Sequence, residues 1–196
     1  MNHFKAVSVF CGSSAGNDER FLEDARSLGS YLAEHKITLI YGGARVGLMG
    51  VVADAVLEGG GLVTGVLPDF ITNREIAHQE LTEMITVSSM HERESVMHER
   101  SDAAIVLPGG YGTMDEMFEL LTWGQLGLHA KPVGILNSGG FYDGLISFID
   151  QMVTKSLLRI HHRKMLQVSG DIPELFDLLQ SYDAPAKAKW ISPDQV

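Results

Sequence analysis

Residues 108–116, Pro108-Gly109-Gly110-Tyr111-Gly112-Thr113-Met114-Asp115-Glu116, combine glycines that leave backbone N–H groups bare with two carboxylates a few positions on. The run Ala103-Ala104-Ile105-Val106-Leu107 before them is apolar without helical period, and Met117 to Leu126 after them is amphipathic at helical spacing. The stretch is therefore predicted as strand, glycine turn and helix. Bare amides at a helix N-terminus suit a phosphate or another anion. Asp115 and Glu116, predicted in the first helical turn, would repel that phosphate, so the combination suggests a nucleotide whose phosphate and sugar are read by different parts of one loop. A structural role competes with this one: Thr113-x-x-Glu116 has the spacing of a capping box, and acids in a first turn complement the helix dipole.

A second chemical feature is a cation at an unfavourable place. Met90-His91-Glu92-Arg93-Glu94-Ser95-Val96 is nearly repeated as Met97-His98-Glu99-Arg100-Ser101. The seven-residue offset puts Arg93 and Arg100 on about the same helix face. Ser88-Ser89 can cap this helix, predicted over 90–101, so Arg93 falls in its first turn, where the dipole disfavours a cation. Either a bound anion or a carboxylate such as Glu116 holds it there, or it is solvated and offset by Glu92 and Glu94. Glu94 and His98, at i and i+4 with His91 nearby, resemble part of a metal site, but the sequence offers no third ligand at a convincing spacing and no metal is expected.

These groups need a scaffold that brings distant loops together. Strand patterns occur at 6–10, 38–41, 62–67, 84–87, 103–107, 133–136 and near 166–168, and helical patterns at 21–34, from the 42–50 turn to about Leu57, and at 90–101, 117–126, 142–155 and 173–181. Residues 70–83, with His78, Glu80 and Glu83, read as an irregular polar loop with room for a short helix. Strands alternating with helices through short turns imply an α/β, doubly wound parallel sheet. Every strand-to-helix turn of that architecture lies at the carboxyl edge of the sheet, so the glycine turns at Gly12, Gly43 and Gly110 can line one nucleotide-sized crevice. The second, Gly42-Gly43-Ala44-Arg45-Val46-Gly47-Leu48-Met49-Gly50, matches neither the P-loop nor the dinucleotide fingerprint.

With 196 residues, 45% of them hydrophobic, the chain can bury one core, and a single domain over 1–182 with a loose C-terminal tail over 183–196 is expected. A net charge of −10 opposes binding to nucleic acid and favours small-molecule work. The lone Cys11 excludes an intrachain disulfide and fits a reducing cytoplasm, and no apolar run is long enough to span a membrane.

The pairing of Met90-His91-Glu92-Arg93 with Pro108-Gly109-Gly110-Tyr111-Gly112-Thr113-Met114-Asp115-Glu116 resembles the LOG ("Lonely Guy") family of cytokinin riboside 5′-monophosphate phosphoribohydrolases, often misnamed lysine decarboxylases. The resemblance runs from about Lys5 to Phe176. It implies a Rossmann-like fold, usually a homodimer, that hydrolyses the N-glycosidic bond of N6-modified or plain adenosine 5′-monophosphate (AMP) to free base and ribose 5-phosphate without a cofactor. By position it implies that Arg93 and Glu116 are the catalytic pair and that Gly109, Gly110, Tyr111, Gly112 and Thr113 cradle the phosphate. Glu80 and Thr122 match nucleotide contacts, Gly43 lies in the second glycine turn, and Asp115 is assigned a ribose-side contact. Where the family commonly has lysine after the arginine, this chain has Glu94. The dimer is also suggested by apolar faces around Met90, Met97, Met114 and Met117. The decarboxylase label would require pyridoxal phosphate on a lysine, yet lysines occur only at 5, 36, 131, 155, 164, 187 and 189, none in a glycine turn. The alternative from another class is a nucleotide-binding sensor or carrier without turnover.

Overall fold

In the computed structural model, residues 4–72 and 76–184 are described. Strands β1 (Ala6–Phe10), β2 (Thr38–Tyr41), β3 (Val63–Pro68), β4 (Glu83–Val87), β5 (Ala103–Val106), β6 (Val133–Leu136) and β7 (Leu166–Ser169) form one sheet in the order β4-β3-β2-β1-β5-β6-β7. All neighbours pair in parallel; β1 meets β5 with Val7 opposite Ala103 and Phe10 opposite Val106. Interior strands of such a sheet are covered on both faces and need apolar side chains throughout, which is why β3, β5 and β6 are buried along their whole length.

Helices α1 (Glu19–Glu34) and α2 (Gly47–Glu58) cover one face together with α8 (Ile172–Gln180), their apolar stripes joining Leu28, Leu32, Val52, Val56, Leu175 and Phe176 in one core. The close packing of α1 on α2 needs Gly29, where a Cβ would stand 2.6 Å from the Ala55 Cβ and the Val52 carbonyl oxygen. The opposite face is covered by α4 (Met90–Glu99), α5 (Tyr111–Gln125) and α6 (Asp143–Thr154) around Met97, Met117, Leu120 and Ile149. The one-turn helices α3 (Asp69–Thr72) and α7 (Ile160–Arg163), each only four residues, lie in segments whose polar sequence carries no helical period. Predicted and observed strands otherwise agree within a residue or two, and residues 185–196 of the expected tail lie outside the described residues.

The strand order reverses between the parallel neighbours β1 and β5, since β1 is followed outward on one side by β2 and β5 on the other by β6. Such a switch point leaves a crevice at the carboxyl edge of the sheet. Here it is opened by the turns after β1 and β5, tied together by Gly12 N–H donating to the Pro108 carbonyl oxygen at 3.0 Å.

Candidate active site

The three glycine turns meet at that crevice. Leu48 N–H, at the start of α2, donates to Gly12 O at 3.0 Å, and Gly47, at φ +58°, leaves no room for a side chain against the Ser13 backbone. Gly109 is equally constrained: a Cβ would stand 2.1 Å from Thr113 Oγ1 and 2.9 Å from Gly12 N. Gly43, at φ +75°, turns the chain under Met84 and Leu67 and accepts from His78 N–H at 2.9 Å. A cleft of about 260 Å3 runs along these turns, lined among others by Gly12, Ser13, Ser14, Phe21, Gly109 and Phe141.

Helix α5 begins at Tyr111, several residues earlier than the amphipathic pattern predicts, and this changes the roles of the motif. Gly110 is its N-cap and supplies no side-chain acceptor, while Gly110 and Gly112 have open space where a side chain would stand. The first amides of a helix have no partner within it, so the exposed run from Gly110 through Tyr111 and Gly112 presents N–H groups and the positive dipole end to the crevice. Asp115 and Glu116 are then the fifth and sixth residues of the helix, and its first turn holds no acid. The expected Thr113-x-x-Glu116 capping box is not formed, because Thr113 lies inside the helix, buried against Gly109.

Glu116 instead turns inward. Its Oε1 accepts from Arg93 Nη1 at 2.7 Å, and the two side chains are only 10% and 12% exposed. Arg93 Nε donates to Val66 O at 3.1 Å, so the last residues of β3 and the first turn of α4 both fix the guanidinium. Ser89 caps α4 by accepting from Glu92 N–H at 3.1 Å, and Glu92 in turn accepts from Ser88 N–H at 2.7 Å. That reciprocal cap, together with the Glu116 carboxylate, accounts for a cation in the first helical turn. Gly42 completes the arrangement, since a Cβ there would stand 2.2 Å from Arg93 Nη2.

Burial raises the pKa of Glu116 and Arg93 holds it back, while Glu94 and Asp115 add a further upward push. The buried Cys11 thiol is driven far above its ordinary range by burial and by Glu116, so it is neutral and inert beside the site. Glu119, one turn beyond Glu116, is pushed up to about 7 by burial and then by the neighbouring Glu94 carboxylate. Sequence reasoning missed Glu119 because an acid at that spacing looks like any solvated helix face. It also missed Tyr142, whose hydroxyl donates to Leu107 O at 2.8 Å and holds the end of β5 just ahead of the glycine turn.

The other predicted residues fare differently. Asp115 is exposed at the mouth of the site and Tyr111 is almost fully exposed. Glu80 is exposed in the loop that hydrogen-bonds back to the second glycine turn, with its own N–H donating to His78 Nδ1 at 3.2 Å. Thr122 stands away from the glycine turns, ~9 Å further along the α5 axis than Glu116, where it lines a separate pocket of about 200 Å3 with Phe118, Ile149 and Met152. His98 does not join His91 and Glu94; it packs on His129 and Trp123, and burial next to Lys131 lowers its pKa to about 3. Of the methionines expected on a dimer face, Met97 and Met117 are fully buried in this chain's own core, whereas Met90 is 41% exposed.

Residues 49–179 match the family model described as "Possible lysine decarboxylase". The chain is 45% identical over 181 residues to the cytokinin riboside 5′-monophosphate phosphoribohydrolase LOG2 of Arabidopsis thaliana, an alignment covering 92% of this chain and 85% of that one. It is 45% identical over 182 residues to the probable phosphoribohydrolase LOGL9 of Oryza sativa subsp. japonica, covering 93% and 80%. Among solved structures, the molybdenum cofactor carrier protein of Chlamydomonas reinhardtii shares the fold, with a TM-score of 0.67 at 23% identity over 89% of this chain and 97% of that one.

Proposed function

The chain belongs to the LOG family, and from that premise we propose that it hydrolyses the N-glycosidic bond of AMP or an N6-modified AMP, releasing the base and ribose 5-phosphate. The observation that carries this reading is the buried Arg93–Glu116 pair placed beside the open N-terminus of α5 at the switch point of the sheet. The phosphate sits on the amides of Gly109 to Thr113, with Gly43 shaping the neighbouring turn. Asp115 meets the ribose side, and Glu80 approaches the nucleotide from the loop before β4. Water adds its hydroxyl to C1′ as the C1′–N9 bond breaks, and the base leaves with a proton on nitrogen. Positive charge builds on the sugar in that step, and the Glu116 carboxylate stabilises it while orienting or deprotonating the water. Arg93 positions Glu116 and the nucleotide and can donate to the leaving base.

The family description would instead call for pyridoxal phosphate on a lysine. The residues do not fit that group. Lys5, Lys36, Lys131, Lys155 and Lys164 all lie on segments that lead into strands, at the amino edge of the sheet and opposite the crevice. Lys187 and Lys189 fall outside the described residues.

The reading extends to a cytoplasmic homodimer, supported by the exposed Met90, Phe118 and Tyr111 along α4 and α5 and by the pocket at Thr122. No helix among the described residues is long and apolar enough to cross a membrane. A solution mass of one 21.4 kDa chain would contradict the dimer. Incubation with AMP and an N6-alkylated AMP, followed by separation of products, tests the activity: base and ribose 5-phosphate in equal amounts are expected. Tight AMP binding with no base released would favour the sensor or carrier reading instead.

A further inference from the structure

We propose that Asp54 and His78 are positioning residues for the nucleotide: together they clasp the 76–80 loop, which carries Glu80, against α2 and the second glycine turn. His78 Nε2 donates to Asp54 Oδ1 at 2.9 Å, and Asp54 stands on the exposed side of α2. The His78 side chain is only 6% exposed, and both of its ring nitrogens are engaged. Glu80 N–H can only donate, so the Nδ1 that faces it at 3.2 Å carries no proton. The ring is therefore neutral with its proton on Nε2, the tautomer that a carboxylate at Nε2 selects. One imidazole thus transmits the position of an α2 carboxylate to the Glu80 backbone.

The loop up to that point is tied to the glycine turn by its main chain. His78 N–H donates to Gly43 O and Arg45 N–H to Ile76 O, each at 2.9 Å, and Ala44 bridges Ala77 in antiparallel fashion. Gly65 of β3 admits the next part of the loop, since a Cβ there would stand 2.5 Å from Leu81 Cδ1 and 2.8 Å from Gly43 Cα. Between these two anchored parts, the Glu80 amide is held by the His78 ring. An apolar side chain at 78 would fill the same space, but a buried imidazole with both nitrogens satisfied also fixes direction. The role rests on the proposed nucleotide site, in which Glu80 approaches the substrate from this loop.

The test is steady-state kinetics of AMP hydrolysis, with AMP affinity by calorimetry, on the full-length protein. Asp54→Ala puts a strong helix former at an exposed position, so the fold is kept. It should raise KM and Kd for AMP by about 3- to 10-fold, the range for losing one ordinary hydrogen bond. With kcat little changed, that is the signature of binding lost equally in ground and transition states. The direction is diagnostic, because deleting an acid by itself favours an anionic ligand. Glu58→Ala, an exposed acid on the same helix, should accordingly leave KM unchanged or lower. Asp54→Asn keeps an acceptor oxygen for Nε2–H and should restore most of the affinity. His78→Asn, whose Oδ1 takes the place of Nδ1, should lose less affinity than His78→Leu. Asp54→Ala with wild-type KM and Kd, or Asp54→Asn as impaired as Asp54→Ala, would overturn the clasp and leave the hydrolase reading intact. AMP bound without base release would defeat the hydrolase reading alone, with Kd then deciding the clasp, and no AMP binding by wild type would overturn both.

Discussion

Gly42→Ala is the sharpest probe of the Arg93–Glu116 pair, because it touches neither residue covalently. The added Cβ would stand 2.2 Å from Arg93 Nη2 and 3.3 Å from both Arg93 Cζ and Met49 Sδ. No backbone atom is among these close neighbours and the φ of Gly42 is not in the left-handed region, so the main chain keeps its course and the guanidinium must move. Moving it by about an ångström breaks the 2.7 Å bond to Glu116. A hydrogen bond to a charged group contributes about 1.5–3 kcal/mol, less than the 3–5 kcal/mol lost when a buried partner is deleted outright, so Arg93→Ala should destabilise more than Gly42→Ala. Displacement of a catalytic group by that distance costs roughly 100-fold in rate, about 2.7 kcal/mol of barrier. Urea melts give the first quantity and base release from AMP the second. A folded Gly42→Ala protein that turns over at the wild-type rate would refute the claim that this glycine exists to admit the Arg93 guanidinium.

Other consequences follow from the same geometry. Glu116 acts as a carboxylate and its pKa is raised, so activity should fall as pH drops through a value above the ordinary carboxylate range. A pH–rate profile checks this, and an acid limb below pH 4.5 would contradict it. The stability counterpart has the opposite sense: a raised carboxyl pKa disfavours folding above the unfolded value, so the Glu116 contribution improves as pH falls from the folded to the unfolded pKa, and Glu116→Gln should remove that component. Tyr142→Phe removes the donor to Leu107 O and should cost about 1 kcal/mol by urea melt, with a parallel weakening of AMP binding as the end of β5 loosens. The His98 ring should remain neutral down to about pH 3 in an NMR titration, because burial beside Lys131 opposes its charge.

The sheet was legible because buried parallel strands must be short apolar runs and its helices must alternate with them; Ala103 to Val106 and Val133 to Leu136 could be read directly. The convergence of the turns at Gly12, Gly43 and Gly110 followed from topology alone. The start of α5 was not legible. Glycines at 109, 110 and 112 have poor helix propensity, and Thr113-x-x-Glu116 offered a plausible cap, so local signals placed the helix start after the true one. The local signals also lack Arg93, the non-local partner that takes up the Glu116 carboxylate and whose position depends on Val66 and Gly42. Glu119 and Tyr142 escaped notice for the same reason: an acid on a helix face and a tyrosine after a glycine turn acquire meaning only when Glu94 and Leu107 are brought beside them. The methionine pattern misled because it marks core in α4 and α5 as readily as it marks an interface, and Met97 and Met117 are core.

The central claim is that the glycine turns bind the nucleotide while the Arg93–Glu116 pair breaks its glycosidic bond. Side-by-side measurement of AMP affinity and base release for wild type and Glu116→Gln tests it most directly. The account predicts that Glu116→Gln still binds AMP within about tenfold of wild type, or ~1.4 kcal/mol, but releases no adenine. A Glu116→Gln protein that releases adenine at a rate close to wild type would contradict it.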